Sequence, residues 1–219
     1  MYLWTGAHHL LWTPVPDWIQ TLAMAFSIML IAPSWGSVVN GYMTMNGQWP
    51  QMRSNYLVKF LVLGITFYGL QTLQGPMQAI RTFSAFIHYT EWVPGHVHMG
   101  TMGWVSLVLF AGIYYMVPHI YGRKLYSVPL ANAHFWFVLV GQLIYSVSMW
   151  IAGVQQGAMW QALSPDGTPK YSFMETQISL YPYWWVRAFS GLVYLVGLIL
   201  FIVNLIQTAR KGEPVGAQG

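Results

Sequence analysis

Four histidines stand in two tight groups, His8-His9 and His96-Val97-His98. Imidazole binds metals through nitrogen and moves protons near neutral pH. Two consecutive imidazoles near a fraying helix end can both turn onto one ion, and nitrogen donors suit copper, iron or zinc. The alternative for His8 and His9 is a chance polar pair. His96 and His98 differ by two positions, so on a helix they point about 200° apart and cannot chelate one ion. They can serve two cofactors: a helix wedged between two flat haems, one His toward each, would hold them close enough for electron exchange. Gly95, Gly100 and Gly103 flank this pair, and missing side chains let a macrocycle or a helix approach the backbone. The competing reading is two polar residues hydrogen-bonded to other helices. The chain has no Cys, which excludes iron–sulfur clusters, thiolate zinc and c-type haem attachment to this chain. Both groups together argue for haem plus a second metal near one level of a bilayer.

The elements holding these groups follow from composition. Of 219 residues, 6% are charged and 56% hydrophobic, with 12 Trp and 14 Tyr. Soluble domains carry about a quarter charged residues, so a water-soluble globular fold is excluded. The formal charge of +4 comes from cations spread one or two per loop, which suits an anionic membrane leaflet rather than nucleic acid. Met1 leads into Tyr2, Leu3 and Trp4 without the positive start of a signal peptide, so these residues read as structure.

Charge-free stretches mark five spans near residues 17–43, 57–86, 96–120, 130–160 and 181–209, with residues 1–11 as the end of a preceding helix. The shortest stretch, residues 60–80, has 21 residues, about 31 Å as a helix and just enough to cross. The loops at 44–56 and 121–129 and the tail hold Arg53, Arg123, Lys124, Arg210 and Lys211, which places them in the cytoplasm. The segments 10–16, 87–95 and 161–180 face outward, with Lys170 the one dissent and Trp12, Trp18, Trp92, Trp160, Trp184 and Trp185 at headgroup level. No repeat, linker or second domain interrupts residues 1–219, read as a single transmembrane domain of an all-α membrane protein.

The stretches Tyr-Leu-Trp-Thr-Gly-Ala-His-His, Ala-Pro-Ser-Trp-Gly, Gly-Pro-Met-Gln-Ala-Ile, His-Tyr-Thr-Glu-Trp-Val-Pro-Gly-His-Val-His and Met-Trp-Ile-Ala-Gly-Val-Gln-Gln-Gly-Ala-Met-Trp resemble the catalytic subunit of cbb3-type cytochrome c oxidases, members of the haem-copper oxidase superfamily. The resemblance runs over nearly the whole chain and implies the C-terminal half of a twelve-helix subunit. It implies that His8 and His9 are ligands of the copper CuB, that His96 is the axial ligand of high-spin haem b3, and that His98 is that of low-spin haem b. Tyr2, six residues before His8, takes the place of a tyrosine that gives an electron and a proton to oxygen. On a continuous helix Tyr2 and His9 would share a face about 10 Å apart. Apart from the resemblance, Tyr2 reads as a buried aromatic. In the family a third copper histidine and a second ligand of haem b lie upstream of Met1, so the missing N-terminal half would have to complete both sites. Where many relatives have Glu before Gly-Pro, this chain has Gln74, and a neutral amide carries no proton at neutral pH.

The resemblance further implies reduction of oxygen to water with electrons from cytochrome c, coupled to proton translocation. Its partners would be c-type cytochrome subunits, membrane lipid and oxygen, and its location the bacterial inner membrane, which it would cross several times. Ser37, Asn40 and Thr44 are candidates for a proton path, or helix-packing hydrogen bonds. His88 is a candidate contact for haem propionates, or a solvated loop histidine. His119 and His134 read as interfacial or packing residues, and the 13 Met as gap fillers. The rival readings are a nitric oxide reductase subunit with iron in place of copper, a metal-free transporter or channel part, and a cofactor-free membrane fragment.

Overall fold

Five helices long and apolar enough to cross a membrane run through the computed structural model, which describes residues 2–215. They are α1 (Asp17–Thr44), α2 (Tyr56–Ala79), α3 (Trp92–Ile120), α4 (Val128–Gln161) and α5 (Phe173–Lys211). Each coincides with a charge-poor stretch of the sequence, because a backbone inside hydrocarbon must satisfy its own hydrogen bonds and a helix does so within one segment. Ahead of them Tyr2–Thr5 forms one helical turn, and Gly6–Leu10 continues as a 3-10 helix. The α-helical register assumed between Tyr2 and His9 is therefore broken. The Tyr2 side chain lies outside the described residues.

Three boundaries depart from the sequence expectation, each for a local reason. The span expected at 57–86 stops at Ala79, three residues after the internal Pro76, and resumes beyond an extended Ile80 as a short helix, Arg81–Ile87. That break brings Arg81 to Asp17 at 2.6 Å. The helix expected from 181 begins at Phe173 and runs through Pro182, because Ser172 and Glu175 form a capping box. Glu175 is thus the carboxylate of a helix start rather than of a loop. α1 is interrupted at Leu30, where Pro33 has no N–H to offer the carbonyl of Met29.

α4 and α5 are 34 and 39 residues long, about 51 and 58 Å, well beyond a hydrocarbon core of roughly 30 Å. They pack backbone to backbone: a Cβ added to Gly141 would stand 3.0 Å from the Tyr194 nitrogen and from the Ser190 carbonyl oxygen. α2, α3, α4 and α5 enclose an aromatic core of Phe60, Phe67, Phe110, Tyr114, Phe135 and Phe201. His134 sits fully buried inside this core, against Phe60, Phe110 and Phe201, with its Nδ1 3.2 Å from Tyr114 Oη. It packs, as expected, but in the interior. His119 is exposed and donates from Nδ1 to the carbonyl of Tyr115.

The loop after α3 and the segment after α5 meet at one end, through Lys124 to Glu213 at 3.1 Å and Arg123 to the Gly212 carbonyl at 2.8 Å. At the opposite end Arg81 and Arg187 join Lys170 as cations on the side read as outward. Arg81 is paired with Asp17, and Arg187 stands 3.7 Å from Glu91. Their charges are answered locally, so they weigh less in orientation than the more numerous cations of the other end, Arg53, Arg123, Lys124, Arg210 and Lys211.

Candidate functional site

The 3-10 turn at Gly6–Leu10 carries both histidines of the first group, with ring centroids 4.3 Å apart and planes inclined at 57°. His8 is half-buried and its Nδ1 lies 2.9 Å from Oγ of the buried Ser27 on α1, whereas His9 is exposed. Burial first, and the neighbouring His9 second, lower the pKa of His8 below its ordinary value, so the ring is held in the neutral form that can donate a lone pair.

His96 and His98 leave α3 in different directions. His96 Nδ1 is 3.3 Å from Gln74 Oε1 on α2. His98 Nδ1 is 2.8 Å from the Pro94 carbonyl and 3.0 Å from the Tyr145 hydroxyl on α4. A carbonyl oxygen only accepts, so His98 carries its proton on Nδ1 and keeps the Nε2 lone pair. The Gln74 carbonyl directs His96 in the same way. Metal-bound histidines show this pattern, one nitrogen held by an acceptor and the other left to the ion.

Directly after His98 the helix widens to a π-helix over Met99–Val105, a distortion frequent at functional sites. The flanking glycines serve helix contacts. A Cβ on Gly95 would come within 2.8 Å of Trp150 on α4, and one on Gly100 would strike the Gln71 side chain on α2. Gly103 faces Phe67 at 3.0 Å in the same sense.

These residues surround one large cleft of about 820 Å³, within the roughly 300–1,000 Å³ of cofactor-sized sites. His8, His9, His88 and His96 all line it, with Gln71, Gly75, Gly100 and Trp104. His98 does not. His88, in the turn ahead of α3, is half-buried, and burial lowers its pKa below the ordinary value. Gly75 keeps the wall beside His96 low, since even an added Cβ would remain 3.9 Å from its Cε1. Ser37, Asn40 and Thr44 lie elsewhere, on an exposed face of α1. Ser37 and Thr44 each donate to a carbonyl of their own helix, Pro33 at 3.2 Å and Asn40 at 2.9 Å. Ser27 and Tyr145 are absent from the sequence expectations, because nothing in their immediate neighbourhood signals a histidine on another helix.

Residues 1–193 match the family described as cytochrome c and quinol oxidase polypeptide I. The chain belongs to this family. Among its relatives in the family are a subunit of the cbb3-type cytochrome c oxidase of Stutzerimonas stutzeri, 43% identical over 98% of the chain, and a cytochrome c oxidase subunit 1 homologue of Agrobacterium tumefaciens, 44% identical over 95%. The chain spans 45% and 39% of their lengths. A nitric oxide reductase subunit of Stutzerimonas stutzeri is more distant, at 23% identity over 96% of the chain. A chain from the structure of a haem-copper terminal oxidase dimer shares the fold, with a TM-score of 0.73 and 22% identity over 96% of this chain and 40% of its own.

Haem and copper are the cofactors that this family implies, and the donor set fits them. It offers imidazoles, with no thiolate and, among the described residues, no carboxylate cluster, and nitrogen suits both haem iron and copper. Among the described residues no three His, Asp or Glu come together as a complete metal site. His8 and His9 alone leave an ion short of donors.

Proposed function

We propose that this chain forms the oxygen-reducing pocket of a cbb3-type cytochrome c oxidase catalytic subunit. One observation carries the reading: His8, His9 and His96 line one cleft while His98, two residues from His96, is turned away from it onto α4. One helix can thus serve a cofactor inside the cleft and another outside it. In this assignment His8 and His9 hold CuB, His96 holds haem b3 and His98 holds haem b, with Tyr2 as donor of an electron and a proton. When bound, these groups would carry electrons from cytochrome c to oxygen and yield water, coupled to proton translocation. The chain's own residues do the positioning. Ser27 and Gln74 fix the ring orientation of His8 and His96, and burial keeps His8 free of protons that would compete with copper. In the same assignment His88, which lines the cleft, would donate to haem propionates.

The remaining copper and haem b ligands would come from the rest of the catalytic subunit. Electrons would come from c-type cytochrome subunits, the whole lying in lipid of the bacterial inner membrane. The histidines test this reading in the assembled complex. His96→Ala should remove the high-spin haem and leave the low-spin one, and His98→Ala the reverse; identical spectra for both variants would sink the assignment. Two haems b and one copper per complex support the oxidase, and iron in place of copper supports a nitric oxide reductase. No metal at all points to a cofactor-free membrane protein. Tyr2→Phe should keep the metals and abolish oxygen consumption, and unchanged consumption would dismiss its role.

A further inference from the structure

We propose that Tyr145 is a positioning residue for His98, its hydroxyl oxygen accepting from Nδ1–H and thereby setting the electron-donating strength of the imidazole. The inference rests on the reading of His98 as the ligand of a low-spin haem. Its geometry is independent of that reading. Tyr145 is 6% exposed, its Oη lies 3.0 Å from His98 Nδ1, and the two ring centroids are 4.9 Å apart.

The direction of the hydrogen bond follows from the second partner. The Pro94 carbonyl, 2.8 Å from the same nitrogen, can only accept, so the proton is on Nδ1 and the Tyr145 oxygen shares it as a second acceptor. The reverse arrangement, with the tyrosine donating, would put the ring proton on Nε2 and block that nitrogen as a ligand. Two acceptors on one N–H draw its proton outward and leave more negative charge on the ring, and such partners raise ligand basicity. A more basic ligand stabilises ferric over ferrous haem.

The backbone fixes this contact. A Cβ on Gly95 would come within 2.8 Å of Trp150 and 3.1 Å of Met149, and one on Gly153 would strike the backbone nitrogen of Trp92. The start of α3 is therefore packed closely against α4 beside His98 and Tyr145, which holds the two backbones at a fixed separation. Among the described residues no such second partner attends His96, whose Nδ1 meets Gln74 at 3.3 Å. The two ligands of one helix are thus tuned differently.

Redox titration of the intact complex, following each haem by its own absorption band, decides the matter. Tyr145→Phe should retain both haems and shift the low-spin midpoint potential upward, leaving the high-spin one in place. The expected size is about tenfold in the ratio of oxidised to reduced haem, ~59 mV for a one-electron couple. Tyr145→Trp, which keeps a large ring but offers no acceptor, should shift it in the same direction and serves if the Phe variant does not assemble. An unchanged low-spin potential in either loaded variant overturns the proposal, as do equal shifts at both haems. His98→Ala separates the two ideas: if that variant keeps its low-spin haem, the ligand assignment itself fails, whatever Tyr145 does.

Discussion

At the scale of single residues, three of the site histidines, His8, His96 and His98, carry a hydrogen-bonded Nδ1. The partners differ: the Ser27 hydroxyl for His8, the Gln74 amide for His96, and the Pro94 carbonyl with Tyr145 for His98. The identity of the histidines is legible in the sequence, since adjacent and alternate imidazoles in a chain of 6% charged residues are conspicuous. Their partners are not. Ser27 lies 19 residues from His8 and Tyr145 lies 47 from His98, and which residue of another helix faces a ring depends on helix rotation and depth, which composition does not encode. Ser27 gives a direct test. With its hydroxyl removed, His8 Nδ1 loses its partner and the ring its orientation. Ser27→Ala should lower copper affinity by about 10–100-fold, the usual effect of removing such a partner. Copper retained by the purified complex against a graded chelator measures it, and retention equal to wild type would reduce Ser27 to a space filler.

At the scale of elements, apolar runs locate all five spans, whereas the ends shift wherever a local rule outweighs hydropathy. Glu175 reads as a loop charge in the sequence and is the third residue of a capped helix, and Pro76 with Arg81 ends α2 where the apolar run would have continued. The glycines beside the histidines read equally well as room for a macrocycle or for a helix. The structure gives Gly95, Gly100 and Gly103 to helix contacts, at Trp150, Gln71 and Phe67. Not every glycine carries such weight, which makes the point measurable. Gly153→Ala would drive its methyl into the backbone of Trp92, whereas a Cβ on Gly191 meets nothing within 4 Å. Overpacking costs about 1–3 kcal/mol, and relief of glycine's flexibility within a helix gains about 0.5–1 kcal/mol. Thermal unfolding of the detergent-solubilised complex should therefore rank Gly191→Ala at or above wild type and Gly153→Ala clearly below it. The same order reversed would show that α3 and α4 have slack between them, contrary to the close packing beside His98.

At the scale of the whole molecule, the chemistry-bearing side chains gather at one end. The cleft holds His8, His9, His88 and His96 there, beside the ion pairs Asp17–Arg81 and Glu91–Arg187. Under the proposed function, protons drawn from the opposite side would have to cross the span to reach it, and Ser37, Asn40 and Thr44 on α1 are the sequence candidates for that passage. All three lie on a face of α1 left exposed among the described residues, so a path through them would run between α1 and whatever packs on that face. They are not equivalent, however. The hydroxyls of Ser37 and Thr44 are engaged with carbonyls of α1, while the Asn40 amide makes no hydrogen bond among the described residues. A neutral amide carries no proton itself, but one with free donors and acceptors can hold and orient the waters of a proton path without first breaking a bond in its own helix. Asn40→Leu should therefore slow proton uptake in vesicles after an oxygen pulse by on the order of tenfold, about the worth of one relay hydrogen bond. Ser37→Ala and Thr44→Ala should leave it close to wild type. Equal slowing by all three would mean that the two hydroxyls rotate away from their helix during turnover, and no slowing by any would move the proton path off α1 altogether.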